Sequence, residues 1–238
     1  MGLLEGKVAI VTGAGGGLGR AHALLLAEHG ACVVVNDLGG ARDGTGSSNS
    51  MADSVVEEIR NVGGQAAATY GSVTDDDAAK AMVQCAVDNF GRLDILINNA
   101  GILRDRSFKN MTDAEWDAVI DVHLRGSYLA TKHAWQQMLA QGEGGRIIMT
   151  SSTSGLIGNF GQANYGAAKA GVAGFMRVLA LEGMKYGITV NVLAPAALSR
   201  MTEDLMPDSE EVAVRMAPEE VSPTVCLLYT SDAADDMQ

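Results

Sequence analysis

Apolar and polar positions along this chain alternate between short apolar runs and longer amphipathic stretches. Lys7–Thr12 is a run of Val, Ala and Ile that ends at Thr12 and meets glycine at once, as a strand buried on both faces of a parallel sheet does. Comparable runs recur at Ala31–Asn36, Gln65–Tyr70, Leu93–Ile97, Gly145–Ser152 and Thr189–Leu193. Between them the spacing is helical: Arg20–His29, Met51–Val62, Asp75–Phe90, Thr112 to about Gln141, and Tyr165 to about Tyr186. Thr74 stands as N-cap before acids in the first turn of the third of these helices. Thr112-Asp-Ala-Glu115 is a capping box that opens the fourth, with an interruption expected near Gly126. Strand and helix alternate throughout, with no repeat and no interdomain linker. The expected fold class is therefore α/β: a single Rossmann-like, doubly wound parallel sheet with its site at the C-terminal strand ends.

The first strand leads into Gly13-Ala-Gly-Gly-Gly17-Leu18-Gly19 and then into a helix. Strand, glycine turn and helix together present backbone N–H groups and a helix N-terminus to a pyrophosphate. The spacing is Gly-x-x-x-Gly-x-Gly, not the commoner Gly-x-Gly-x-x-Gly. Gly13, Gly17, Leu18 and Gly19 are the cofactor-binding candidates in this turn. The second strand ends at Asp37, about 20 residues beyond, where a carboxylate bonds the adenosine ribose 2′-OH and repels a 2′-phosphate. No Lys or Arg stands between Gly13 and Gly19, so NAD is expected rather than NADP. Arg20 and Arg42 are the two cations that could reverse this preference.

Tyr165 and Lys169 are four residues apart in a helical segment and so share a face. A nearby ammonium favours phenolate and lowers a tyrosine pKa, which makes the phenol usable as an acid or base near neutral pH. Ser152, arriving from a strand end, can hold the substrate oxygen. Tyr-x-x-x-Lys occurs in many helices; the glycine turn is what gives this pair weight.

Three further strings each close a strand: Asn98-Asn-Ala-Gly101, Gly145-Arg-Ile-Ile-Met-Thr-Ser-Ser152 and Asn191-Val-Leu-Ala-Pro195. With the glycine turn and Ser152, Tyr165 and Lys169, this set in this order resembles the short-chain dehydrogenase/reductase family, from about Gly6 to Pro223. The strings at 35–40, 101–108, 122–127, 158–165 and 199–202 are similar to one branch of it. That branch comprises the (3R)-hydroxyacyl-CoA dehydrogenase part of peroxisomal multifunctional enzyme type 2 and stand-alone bacterial relatives. The resemblance implies NAD-dependent interconversion of a 3-hydroxyacyl and a 3-oxoacyl thioester. It implies that Ser152 orients the substrate oxygen and that Tyr165 exchanges the proton. Lys169 would lower the tyrosine pKa and bond the nicotinamide ribose. Ser72 and Val73 would border the adenine, Asn99 the adjacent ribose and Pro195 the nicotinamide. His123 stands where the family often has an asparagine that holds a water in the proton relay, and an imidazole can also relay a proton. A homodimer or homotetramer is implied as well. The alternatives are a 3-oxoacyl-carrier-protein reductase or general ketone reductase, which would favour NADPH, and a non-catalytic NAD-binding module.

At 238 residues, 47% hydrophobic and with 29 glycines, the chain suits one packed α/β domain. Its net charge of −12 argues against nucleic acid as a partner. CoA carries phosphates, so an acidic enzyme handling it needs a local basic site, for which Arg104, Arg106, Lys109 and Arg200 are candidates. Ala197–Met216 is expected to cover the substrate, with Met201 and Met206 able to line an acyl path. Cys32, Cys85 and Cys226 have no metal or redox spacing, so no metal site and free thiols in a reducing compartment are expected. No signal peptide, transmembrane run or terminal Ser-Lys-Leu is seen, which implies a cytoplasmic protein with no membrane partner. Residues 226–238 read like the translation of a common sequencing-library adapter, although the family has its own Ser-Asp-x-Ala near this point. The expected organisation is a domain over 1–225, a tail of doubtful origin over 226–238, and no sequence for the family's final strand. The sheet edge would then stay open.

Overall fold

The computed structural model describes residues 2–195, 197 and 216–230. Among these, six parallel strands form one sheet in the order β3-β2-β1-β4-β5-β6. The strands are β1 (Val8–Thr12), β2 (Cys32–Asn36), β3 (Gln65–Thr69), β4 (Ile95–Asn98), β5 (Gly145–Thr150) and β6 (Ile188–Leu193). The helices are α1 (Gly17–Glu28), α2 (Ser50–Asn61), α3 (Asp76–Phe90), α4 (Asp113–Ile120), α5 (Gly126–Gln141), α6 (Thr153–Leu156), α7 (Ala163–Gly183) and α8 (Pro218–Thr230). Strand order reverses between β1 and β4, and in a doubly wound sheet that crevice is where ligands bind. The α/β expectation is met.

Alternate side chains of β1 feed two cores, because successive residues of a strand face opposite ways. Ala9 and Val11 pack with Leu26 of α1, and with Val55 and Ile59 of α2. Val8 and Ile10 pack with Met82 of α3, Met138 of α5 and Val172 of α7. This two-sided demand is why the strands read as unbroken apolar runs. Each fully buried aliphatic side chain here contributes about 1.5–3 kcal/mol.

Local details depart from expectation in two places. Asp75, not Thr74, caps α3: its side chain accepts from Ala78 N–H at 2.8 Å. The Thr74 hydroxyl instead lies 2.9 Å from that of Ser72. Gly126 does not break its helix. A π turn, Asp121–Arg125, joins α4 to α5 without interruption. Gly126 is needed for packing, since a Cβ there would lie 2.7 Å from Val73 Cγ2. The Thr112–Glu115 capping box forms as expected.

Helix α8 begins with Pro218 and two glutamates in its first turn, which suit a helix start. It runs unbroken across the expected boundary at 225/226, and Val225 and Cys226 are buried in the core on the α1 side. All three cysteines are free thiols, but Cys32 and Cys85 are only half-buried. No helix among the described residues is long and apolar enough to cross a membrane. A buried polar contact joins α1 to α8: His22 Nδ1 lies 2.8 Å from Ser222 Oγ. An Nδ1–H given to that oxygen leaves the hydroxyl hydrogen for Pro218 O, 3.3 Å away.

Burial pushes the His22 pKa down from 6.5 to about 4. In the unfolded chain the same imidazole protonates near 6.5, so between these values the unfolded state binds the extra proton. The stabilisation is complete above pH 6.5 and is lost as pH falls towards 4, on the order of 3 kcal/mol in all. Denaturant unfolding at neutral and mildly acidic pH should show this loss, and His22→Gln should make it smaller. An equal acid sensitivity in the variant would show that His22 is not its source.

Candidate active site

The glycine turn between β1 and α1 is shaped by how closely β4 approaches it. Thr12 Oγ1 accepts from Asn99 N–H and Ala100 N–H, both at 3.0 Å. Asn99 Nδ2 donates to Thr12 O at 3.0 Å and Gly13 O at 3.1 Å. A Cβ on Gly13 would fall 2.7 Å from Ala100 Cα, and one on Gly19 would fall 2.2 Å from Gly13 O. Gly13 and Gly17 also have positive φ, 65° and 52°, where a side chain is strained. These two needs, clearance and φ, account for the glycine spacing.

Next to the turn lies a cleft of about 390 Å³ lined by Gly13, Gly17, Leu18, Asp37, Ser72, Val73 and Asn99, among others. Its size is that of a small-molecule site. Asp37 sits at the end of β2 with both carboxylate oxygens engaged: Oδ2 accepts from Gly15 N–H at 2.8 Å, Oδ1 from Gly39 N–H at 2.6 Å. The cradle a Cβ would fill and the free start of α1 fit the pyrophosphate of a dinucleotide. Arg20, one of the two cations that could favour a 2′-phosphate, makes a two-pronged ion pair with Glu58 of α2. Arg42 does line the cleft.

Ser152, Tyr165 and Lys169 are not among the cleft's lining residues. They meet beyond its Gly101–Ile102 end. Ser152, just after β5, caps α6 by accepting from Ser154 N–H at 3.2 Å. Tyr165 and Lys169 project from the first two turns of α7, with the lysine Nζ 5.5 Å from the tyrosine ring centre. The helix is pinned to the end of β5: Ser151 Oγ donates to Lys169 O at 2.8 Å, and Lys169 Nζ donates to Thr150 O at 2.6 Å.

Electrostatics at this cluster differ from the simple ammonium-to-phenol picture. Burial pushes the Tyr165 phenol up, its bond with Ser152 pulls it down and Asp105 adds to the rise; the net direction is up. Burial lowers the Lys169 pKa from 10.5 to about 7. The expectation that Lys169 lowers the tyrosine pKa is therefore not met in the protein alone. The four-residue spacing sets the face, but burial disfavours the charged form of both groups.

His123 occupies the π turn, fully buried, with its ring 5.0 Å from that of Tyr165 and edge-on to it. Its Nε2 lies 2.8 Å from Ile102 O and 3.1 Å from Ile102 N, and the shorter contact favours an Nε2–H donated to the carbonyl. Nδ1 has no partner among the described residues. Burial above all, then the Lys169 charge, lowers its pKa from 6.5 to about 3. Pro195 lies beyond β6 and away from the cleft lining. Of the basic candidates, Arg104 lines the cleft, Arg106 pairs with Glu115 at 2.9 Å and Lys109 is exposed. Arg200, Met201 and Met206 lie outside the described residues.

Sequence reading missed three residues. Thr12 is one, although a threonine closing the strand before the glycines was its signal. The second, Asn164, is fully buried: its amide donates to Arg104 O at 3.1 Å and Glu115 O at 3.0 Å, and its oxygen accepts from Tyr165 N–H at 2.8 Å. The third, Gln162, holds Asp105 at 2.7 Å.

A dinucleotide cradle beside a Ser/Tyr/Lys cluster defines a nicotinamide-dependent oxidoreductase acting on CH–OH groups. The family model described as short chain dehydrogenase matches residues 7–211, and the chain belongs to that family. It is 54% identical to mouse peroxisomal multifunctional enzyme type 2 over 94% of its length, but spans only 30% of that protein. It is 43% identical to hydroxyacyl-CoA dehydrogenase ChsB1 of Mycobacterium tuberculosis, over 98% of this chain and 75% of that one. The crystal structure of a short chain dehydrogenase from Mycobacterium avium superimposes with a TM-score of 0.84 at 49% identity, covering 99% of this chain and 81% of that one.

Gly19→Ala should weaken NADH binding at least tenfold and lower the melting temperature, because the new methyl group meets backbone that cannot move aside. Fluorescence titration and thermal unfolding read the two effects. Unchanged affinity would mean that the turn does not hold the dinucleotide.

Proposed function

We propose that the protein interconverts a (3R)-hydroxyacyl thioester and its 3-oxoacyl partner, using NAD. The observation that carries the reading is the half-buried Tyr165 with Ser152 and Lys169 beside it, next to a cleft that ends in a carboxylate. When bound, the nicotinamide would supply the hydride acceptor for oxidation and the hydride donor for reduction. Ser152 holds the substrate oxygen. Tyr165 gives its phenol proton to the substrate oxygen in reduction and, as the phenolate, takes the hydroxyl proton in oxidation. Lys169, with its pKa near 7, can carry a charge or release a proton at working pH. His123 stays neutral well below neutral pH, so in this reading it braces Ile102 and the Tyr165 ring and carries no charge in the proton path.

NAD is favoured because Asp37 would meet a 2′-phosphate and Arg20 is held by Glu58. The acyl-thioester assignment is supported by the strings shared with the hydroxyacyl-CoA branch and by the similarity to ChsB1.

NADH formation from NAD and a medium-chain (3R)-hydroxyacyl-CoA should be measurable, with little from the (3S) isomer. Tyr165→Phe should lower kcat by about 10²–10⁴-fold while NADH still binds. Asp37→Ser should shift kcat/KM towards NADP. Turnover of other alcohols but of no acyl-CoA would reject the substrate assignment. A fully active Tyr165→Phe would reject the proton role.

A further inference from the structure

An extended strap, residues 104–107, lies against the start of α7. Arg106 N–H donates to Gly161 O at 2.8 Å, and Arg106 forms an isolated bridge with Gln162. Alternate residues of an extended segment point to opposite sides. Arg104 turns to the nucleotide cleft, donating from Nε to Asp43 O at 2.9 Å. Arg106 turns to Glu115. Asp105, between them, is exposed but tied down: Gln162 Nε2 donates to its Oδ2 at 2.7 Å. Gln162 is only 6% exposed, and its Oε1 accepts from Ser154 Oγ at 2.7 Å. The Ser154 N–H in turn donates to Ser152 Oγ at 3.2 Å. A buried amide engaged at both ends therefore fixes the carboxylate relative to the hydroxyl that would hold the substrate.

We propose that Asp105, positioned by Gln162, determines specificity by excluding substrates with a negative charge beside the reacting carbon. A 3-hydroxy acid is then accepted only with its carboxyl group masked as a thioester or ester. The inference rests on the proposed roles of Ser152 and Tyr165. With the carbinol held by those two residues, a free carboxylate two bonds away would come within electrostatic reach of Asp105, which is itself exposed to solvent. Like charges repel there, while a thioester carbonyl is neutral and meets no such barrier. Among the described residues, the chargeable groups near the phenol are Lys169 from its own helix, His123 from the π turn and Asp105 from the strap. His123 is neutral, and Lys169 lies deep, donating to Thr150 O. The rise of the Tyr165 pKa caused by Asp105 is consistent with the carboxylate being within electrostatic reach of the reacting atoms.

The test uses methyl (3R)-3-hydroxybutyrate and free (3R)-3-hydroxybutyrate, which differ in charge but not in the reacting carbon. In Asp105→Asn the acid-to-ester ratio of kcat/KM should rise on the order of tenfold, as removal of one partly screened like charge would give. Gln162→Met should move the ratio the same way by less, since the carboxylate is then free to turn to water. A purely structural role would lower both substrates alike and leave the ratio fixed, which would overturn the proposal. The pair contains no CoA, so a failed thioester assignment does not blur the result. A second readout needs no turnover: phenolate absorbance, with Tyr165→Phe as the blank, should show Tyr165 titrating at lower pH in Asp105→Asn. An unmoved titration would also overturn the proposal.

Discussion

The close approach of two strand ends is the constraint on which the rest of this molecule depends. At the point where strand order reverses, Thr12 and Asn99 tie β1 to β4 by bonds that involve two backbone N–H groups and two backbone carbonyls. Neighbours this near leave no room for side chains at Gly13 and Gly19, and so the turn becomes a run of bare backbone. Polar backbone that neither strand nor helix satisfies is what an anionic ligand can use. The bare backbone of the turn is thus a by-product of packing, and Asp37 is drawn in at its far end by Gly15 N–H.

The second half of the site is built on the opposite principle. There the chain buries groups that would rather face water: Lys169 and His123 fully, Tyr165 in large part. Each has its pKa displaced towards the neutral form, and each is held by backbone or neighbouring side chains rather than by a partner of opposite charge. Such an arrangement costs stability and is kept where reactivity needs it. A small change of charge nearby, from cofactor or substrate, then moves the balance more than it could at a hydrated surface.

Much of this was legible in the sequence because it depends on local pattern. The six apolar runs predict the six described strands and the parallel sheet, and the glycines and Asp37 picked out by spacing line one cleft. Ser152, Tyr165 and Lys169 could be picked out by order and spacing. What spacing could not reveal was dielectric. Tyr165 and Lys169 share a face as predicted, yet the depth of their burial, which reverses the expected pKa direction, is set by helices far away in the chain. The roles of Asp105, Gln162 and Asn164 were hidden for a related reason. Each bonds to a segment some 50 residues distant or more, and nothing in the local string records such a partner. Likewise Thr74 and Asp75 are both competent caps, and the contact of Thr74 with Ser72 decides between them.

The π turn at Asp121–Arg125 carries a consequence for how this chain can vary. A wide turn of this kind holds one residue more than regular helix needs to cover the same stretch. Removing one residue here would let α4 and α5 merge into an ordinary helix with its hydrogen bonding intact. The loss would fall on His123, which would rotate away from Ile102 and from the tyrosine ring. Length variation at this place would therefore be tolerated by the scaffold and punished by the site. Relatives that keep the turn and relatives that lack it should differ in reaction before they differ in fold.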